Sequence, residues 1–157
     1  MLVWNVLGRF GPRAFSPMRI LLLRMFGATI GEGVLICPAI KVLMPWHLNI
    51  GAFTAVAEGV DIYNFGQVHI GKNTCVSQGV WLCTGSHDYN VPNFPLIWDD
   101  IRVGDGVWLA AQSFVGPGVT IGDGAVVGAR SVVTRDLEGW TVYAGNPCAL
   151  IKPRRRD

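Results

Sequence analysis

The stretch VGDGVWLAAQSFVGPGVTIGDGAVVGARSVVTRD, residues 103–136, places an aliphatic side chain at every sixth position: Val103, Leu109, Val115, Ile121, Val127 and Val133. Neither the 3.6-residue period of a helix nor the alternation of a half-buried strand produces that step. Upstream the same step recurs at 30, 36 and 42, at 50, 56 and 62, and at 70, 76 and 82. Ile30, Ile50 and Ile70, each followed by Gly, mark twenty-residue units, and Val103 and Ile121 continue the series eighteen apart. All fifteen hexad positions are Ile, Leu or Val, although these types fill only 43 of 157 positions. For a fixed frame, chance produces this on the order of once in 10⁸ to 10⁹ sequences, so the repeat is a structural unit.

A hexad repeat suits a three-sided coil of short parallel strands. The aliphatic residue points inward, and a smaller residue four positions later (Val34, Thr54, Val60, Thr74, Val80, Val107, Ser113, Val119, Ser131) fills the corner. Glycine or Asn beside it supplies the backbone angles a corner needs. Three hexads close one coil, and coils stack at roughly the 4.8 Å strand spacing. One coil buries nothing alone, so stability comes from stacking about five of them. The expected fold is therefore an all-β, three-sided parallel β-helix.

The step from Ile70 to Val103 is thirteen residues too long, which assigns an insertion to DYNVPNFPLIWDD, residues 88–100. An excursion of that length from a compact repeat is usually functional. Ahead of the coils, Ser16 and Pro17 read as N-cap and first residue of a helix over 17–26, with Gly27 as its stop. This apolar helix either plugs the open end of the solenoid or rests on a membrane. The chain thus divides into an N-terminal segment with capping helix (1–29), a β-helix (30–147) interrupted by the 88–100 loop, and a basic tail (148–157).

Composition removes several function classes. Half the chain is apolar and only 15% is charged, and the longest strictly aliphatic run is Ile20–Leu23, so no spanning helix is expected. The net charge of +2 is spread as four Arg and no acid in residues 1–29 and as Lys152, Arg154, Arg155 and Arg156 in the tail. No basic stripe interleaved with aromatics runs between them, which argues against nucleic acid. The four cysteines form no CxxC pair, and no signal peptide is evident, so a reducing cytoplasmic setting is expected, with the inner face of the membrane as one location.

The segments LCTGSHDY (82–89), FPLI (94–97), VGPGVTIGDGAVVGARSVVTRD (115–136) and YAGNP (143–147) resemble those of the hexapeptide-repeat acyltransferases, within them the sugar O-acetyltransferases. The WN and LLLRMFGATIG pieces near the N-terminus are similar to the branch associated with colanic acid and other exopolysaccharide biosynthesis. The resemblance covers roughly residues 20–152. It implies a left-handed helix, which periodicity does not supply, a homotrimer with sites between subunits, and acetyl-CoA as co-substrate.

On that resemblance His87, where the insertion departs, is the general base that takes the proton from a sugar hydroxyl as its oxygen attacks the thioester carbonyl. Imidazole titrates near neutrality, which suits that task. Asp88 is placed to hold the ring's tautomer, or is an ordinary turn residue. The matching coenzyme A positions are Trp108 beside the pantetheine arm, Ala111 and Ala129 through their backbones, and Thr134, Arg135 and Lys152. Arg135 and Lys152 would meet phosphate, or are solvated corner charges. Ala149 stands where maltose- and galactoside-directed members carry Arg, so Arg154–Arg156 would have to substitute. Asn64, one coil below Thr84, is the candidate acceptor-binding residue, or a corner residue. Phe94, Leu96, Ile97 and Trp98 are expected to reach the next subunit and wall the pocket. His47, His69 and His87 include no close pair, so no catalytic metal is expected. The alternatives are an amino sugar or serine acceptor, and a non-catalytic scaffold.

Overall fold

The structure, a computed structural model, describes residues 12–155. A 3₁₀ turn (Arg13–Phe15) leads into α1 (Ser16–Met25), and the coils follow. Coil one holds β1 (Thr29–Ile30), β2 (Leu35–Ile36) and β3 (Lys41–Val42). Coil two holds β4 (Leu48–Ile50), β5 (Ala55–Val56) and β6 (Asp61–Tyr63). Coil three contributes β7 (Val68–Ile70), β8 (Cys75–Val76) and β9 (Trp81–Cys83), and then β10 (Gly85–His87) and β11 (Leu96–Trp98) leave the coil. Coil four resumes with β12 (Ile101–Val103), β13 (Trp108–Leu109) and β14 (Phe114–Val115). Coil five holds β15 (Thr120–Ile121), β16 (Val126–Val127) and β17 (Val132–Val133). Leu137 bridges to Ile121, and β18 (Thr141–Ala144) and β19 (Ala149–Pro153) close the stack.

Three sheets form the faces of a triangular prism. The first face runs β1-β4-β7-β12-β15, the second β2-β5-β8-β13-β16-β18-β19, and the third β3-β6-β9-β14-β17. All coil-to-coil pairings are parallel, and the register skips the excursion cleanly, with Val68, His69 and Ile70 opposite Ile101, Arg102 and Val103. All fifteen hexad residues and all nine smaller corner residues are buried. The buried hydroxyls of Thr54 and Thr74 donate to the carbonyls of Gly71 and Gly104 one coil above, at 2.6 and 2.9 Å. The two threonine hydroxyls are thereby satisfied inside the stack, and the Ser131 hydroxyl accepts the Gly145 N–H at 3.0 Å, whereas the buried Ser113 hydroxyl has no hydrogen-bond partner among the described residues.

Two kinds of glycine punctuate the repeat for different reasons. Gly33, Gly59, Gly79 and Gly106 hold positive φ at corners. Phe53, Gln112, Arg130 and Trp140 occupy equivalent left-handed corners, so the angle alone does not exclude a side chain. The Gly after each leading aliphatic residue answers to space instead. A Cβ on Gly51 would lie 2.6 Å from the backbone of Gly71 and Lys72, and one on Gly71 would lie 2.5 Å from Gly104.

Helix α1 plugs the N-terminal end. Leu23 and the full length of Arg19 are buried, and the Arg19 guanidinium donates to the carbonyls of Ile36 and Pro12 at 3.3 and 3.1 Å. Ser16 is the first helical residue rather than the expected cap, because its hydroxyl accepts the Ile36 N–H of coil one at 2.8 Å. Gly27, at φ +92°, ends the helix as expected. Phe15, Met18, Leu21 and Met25 face outward. At the other end the tail is part of the fold, since β19 pairs antiparallel with β18 and extends the second face.

Candidate active site

The expected loop at 88–100 is a structured hairpin that begins earlier than the sequence suggested. β10 and β11 pair antiparallel, with Gly85 opposite Trp98, Ser86 opposite Ile97 and His87 opposite Leu96. Thr84, fully buried, anchors the exit by accepting the Gly66 N–H at 3.0 Å. At the tip, Phe94 closes a turn onto the Val91 carbonyl and adopts φ +44°, a left-handed conformation costly for a bulky residue.

That unusual backbone aims the Phe94 carbonyl at His87, whose Nδ1 lies 2.6 Å away. A carbonyl only accepts, so Nδ1 carries the proton in this contact, and neutral His87 keeps the lone pair on Nε2. The imidazole is exposed, with a fixed tautomer and a free basic nitrogen.

Asp88, expected to hold the ring's tautomer, is not the group that meets Nδ1, where the Phe94 backbone carbonyl stands instead. The Asp88 carboxylate accepts the Asn90 N–H at 3.0 Å, an ordinary turn of the hairpin, and its own N–H donates to Pro95. The acceptor role expected of Asn64 is also corrected. Its side chain is 0% exposed, Oδ1 accepts the Met44 N–H at 3.0 Å, and Nδ2 donates to the Met44 carbonyl at 2.8 Å. Asn64 serves as an internal strut between coils one and two, with no hydrogen-bonding capacity facing solvent.

Of the expected coenzyme residues, Trp108 and Lys152 lie on the second face and Ala111 and Ala129 at its edge with the third, whereas Thr134 and Arg135 follow β17 at the edge between the third and first faces, the edge from which the hairpin departs. Trp108 projects from β13, half exposed, and its indole N–H donates to Ser77 Oγ at 3.0 Å, which fixes the ring against the neighbouring coil. Ala111 and Ala129 occupy successive turns between the second and third faces, and the Ala111 carbonyl accepts the Arg130 N–H at 2.9 Å. From β13 through β16 and β18 to β19 is three strand steps, about 14 Å along the prism axis. At that end lie exposed Thr134 and Arg135, the latter donating to the Cys148 carbonyl at 3.3 Å. Lys152, opposite Val142 in β19, lines a cavity of about 330 Å³ with Pro153, Arg154 and Arg155. Arg154 is largely committed to the fold, because one nitrogen donates to the carbonyls of Gly106 and Gly124, both at 2.9 Å, and its guanidinium lies 5.6 Å over Trp140. Arg155 is exposed, and Arg156 lies outside the described residues.

One topological fact organises these positions. The hairpin bearing His87 departs at the edge between the third and first faces, whereas Trp108 stands on the second face. In a three-sided prism that edge is opposite that face, so one chain carries His87 and Trp108 on opposite sides. The two remaining histidines are elsewhere: His47 ends the 3₁₀ turn Pro45–His47, and His69 lies in β7 on the first face between Asn49 and Arg102.

Near the hairpin, burial pushes the Cys83 thiol above its ordinary range, and the thiol donates to the Gly85 carbonyl at 3.3 Å. Sequence reasoning missed three features: the Phe94 carbonyl, the strand pairing at 85–98, and the rings of Tyr63 and Phe65 beneath Gly85. The run LIW at 96–98, all apolar or aromatic, was the available signal for the strand.

A family model described as Bacterial transferase hexapeptide (six repeats) matches residues 100–135. The chain is 43% identical over 145 residues to WcaF of Escherichia coli K12, whose name assigns it provisionally as a colanic acid biosynthesis acetyltransferase. The match spans 92% of this chain and 80% of that protein. The crystal structure of a maltose O-acetyltransferase from Clostridium difficile 630 matches with a TM-score of 0.87 and 27% identity, over 96% of this chain and 82% of that one. A galactoside acetyltransferase solved in complex with coenzyme A matches with a TM-score of 0.86 and 27% identity, over 94% and 75%. The solenoid is left-handed, as in these neighbours. By its repeat, its coil and its identity to WcaF, the chain belongs to the hexapeptide-repeat acetyltransferases.

Proposed function

We propose that this acetyltransferase moves the acetyl group of acetyl-CoA to a sugar hydroxyl in exopolysaccharide biosynthesis, with His87 as general base. The observation that carries the reading is the 2.6 Å contact of His87 Nδ1 with the Phe94 carbonyl, which leaves Nε2 as an exposed base. Nε2 takes the hydroxyl proton while the oxygen attacks the thioester carbonyl. The C–S bond then breaks, and the imidazolium returns the proton to the departing thiolate, so no acyl-enzyme forms. Backbone N–H groups near Ala111 face the developing oxyanion, a contribution of roughly 3–4 kcal/mol per donor. The sugar acceptor is supported by the names of the matched maltose and galactoside enzymes, and the coenzyme by the complex of the latter.

The active form is a homotrimer. Because His87 and Trp108 sit on opposite sides of one prism, the hairpin of one copy completes the site on the second face of its neighbour. Coenzyme A then lies along the prism axis, its arm beside Trp108, Ala111 and Ala129 and its phosphates near Lys152 of the same copy and near Thr134 and Arg135 of the copy that lends His87, since these two stand on the edge that carries the hairpin. The enzyme works in the cytoplasm, where acetyl-CoA is available. No helix among the described residues is long and apolar enough to cross a membrane, and the outward side chains of α1 offer peripheral contact with its inner face. The test is coenzyme A release over a panel of acceptors. Turnover of neutral sugars supports the reading, and turnover confined to amines or to serine overturns it.

A further inference from the structure

The hairpin's two faces differ in what they carry. Directly paired residues project to the same side of an antiparallel ladder, as do residues two apart on one strand. Gly85, His87, Leu96 and Trp98 therefore share one face, and Ser86 and Ile97 the other. Gly85 leaves its place on that face without a side chain. A Cβ there would stand 3.1 Å from the Phe65 ring and 3.4 Å from the Tyr63 ring, so both rings lie beneath the His87 side of the hairpin.

These rings form a continuous shelf. Tyr63 meets Phe65 edge to face at a centroid separation of 5.1 Å, and Phe65 meets Trp98 at 6.4 Å with a tilt of 33°. Phe65 is half-buried and props the other two, while Trp98 remains 57% exposed and Tyr63 38% exposed. Trp98 is one same-face pair away from His87 and Leu96, about 6.8 Å along the strands. That distance is comparable to the breadth of a pyranose with its hydroxyls. The three shelf side chains carry no formal charge. Their ring faces are electron-rich and match the C–H face of a sugar.

We infer that the Trp98–Phe65–Tyr63 shelf binds the pyranose ring of a neutral sugar acceptor, stacked on Trp98 so that one hydroxyl reaches His87 Nε2. This inference rests on the reading of His87 as the base of a sugar acetyltransferase, and it adds the acceptor subsite that Asn64 does not provide. It makes Trp98 and Tyr63 specificity residues, with uncharged pyranosides as the ligand class.

The test compares Trp98→Phe with Trp98→Leu. Leu keeps apolar bulk but has no ring face, and Phe keeps a ring. Binding of neutral mono- and disaccharides, titrated in the presence of coenzyme A, is expected to weaken roughly five- to ten-fold in Trp98→Leu and at most about two-fold in Trp98→Phe. Acetyl-CoA affinity is expected to be unchanged in both. Equal sugar affinity in wild type and Trp98→Leu overturns the shelf. So does a loss of trimer mass in Trp98→Leu, since the ring would then cover a second copy. Failure of the underlying reading is separately visible: wild type then acetylates no sugar, or His87→Ala keeps full turnover, while the binding titration still decides the shelf.

Discussion

Replacing Gly51 with Ala is expected to destabilise the protein far more than replacing Gly59 with Ala, although Gly59 is the one with the unusual backbone. Gly59 sits at φ +69° with open space where a Cβ would go, so Ala there meets only the left-handed penalty, about 1 kcal/mol net of the restriction it places on the unfolded chain. Gly51 needs no left-handed angle. Its Cβ, however, would lie 2.6 Å from the Gly71 carbonyl carbon and the Lys72 nitrogen, about 1 Å inside ordinary contact. Those atoms are backbone of the turn after β7, held where the Gly71 N–H donates to the Val103 carbonyl at 2.8 Å and the Lys72 N–H to the Asp105 carboxylate at 2.9 Å, so neither moves without opening the stack. Overpacking costs typically 1–3 kcal/mol, and rigid backbone neighbours put Gly51→Ala at about 3 kcal/mol. For a chain of this size that is a fall of about 6–12 °C in Tm, against about 2–4 °C for Gly59→Ala. Thermal unfolding followed by circular dichroism at matched protein concentration measures both. Equal losses, or a larger loss for Gly59→Ala, would refute the reasoning that coil-to-coil approach sets these glycines.

Further outcomes follow from the site and the core. Asp88→Asn is expected to keep kcat within about ten-fold of wild type, because Asn preserves the oxygen that accepts the Asn90 N–H and the Phe94 carbonyl holds the imidazole. A fall of several thousand-fold, the size seen when a true triad carboxylate is removed, would return the orienting role to Asp88. Mixing His87→Ala with Trp108→Ala chains before refolding is expected to restore activity at about a quarter of the sites in random trimers, and no recovery in co-assembled trimers would place both residues in one copy's site. Burial raises the Cys37, Cys83 and Cys148 thiols, so the folded state holds their protons at a pH where the unfolded chain releases them, above about 8.5. Stability is therefore fully present below that pH and lost as pH rises toward the folded values. Tm scans from pH 7 to 10 are expected to show the loss, with a shallower slope in the triple Cys→Ala protein and an unchanged slope counting against it.

The coil was legible because its rule is local and repeated. Fifteen inward aliphatic positions each had to be Ile, Leu or Val, and all fifteen are buried. The insertion was legible as an arithmetic excess between Ile70 and Val103, but its start was misplaced. A chain leaving the coil at Gly85 still carries hexad-compatible residues, and the pairing of Gly85 with Trp98 is not a periodic feature. His87 was found through its motif. Its partner was not, because the Phe94 carbonyl is a backbone group whose direction depends on one left-handed φ, and no side-chain pattern encodes it. Asp88 attracted the role by adjacency, yet a neighbour in a tight turn bonds more readily to the backbone two residues on. Asn64 reads as a solvent-facing polar residue only until the Met44 backbone is placed against it one coil below.

The central claim is that His87 supplies the base for acetyl transfer, and steady-state turnover of His87→Ala with acetyl-CoA and a neutral sugar tests it most directly. The account predicts a loss of roughly 10²- to 10⁴-fold in kcat, with the fold, the trimer mass and acetyl-CoA affinity retained. A kcat within ten-fold of wild type in a folded, coenzyme-binding variant would contradict it.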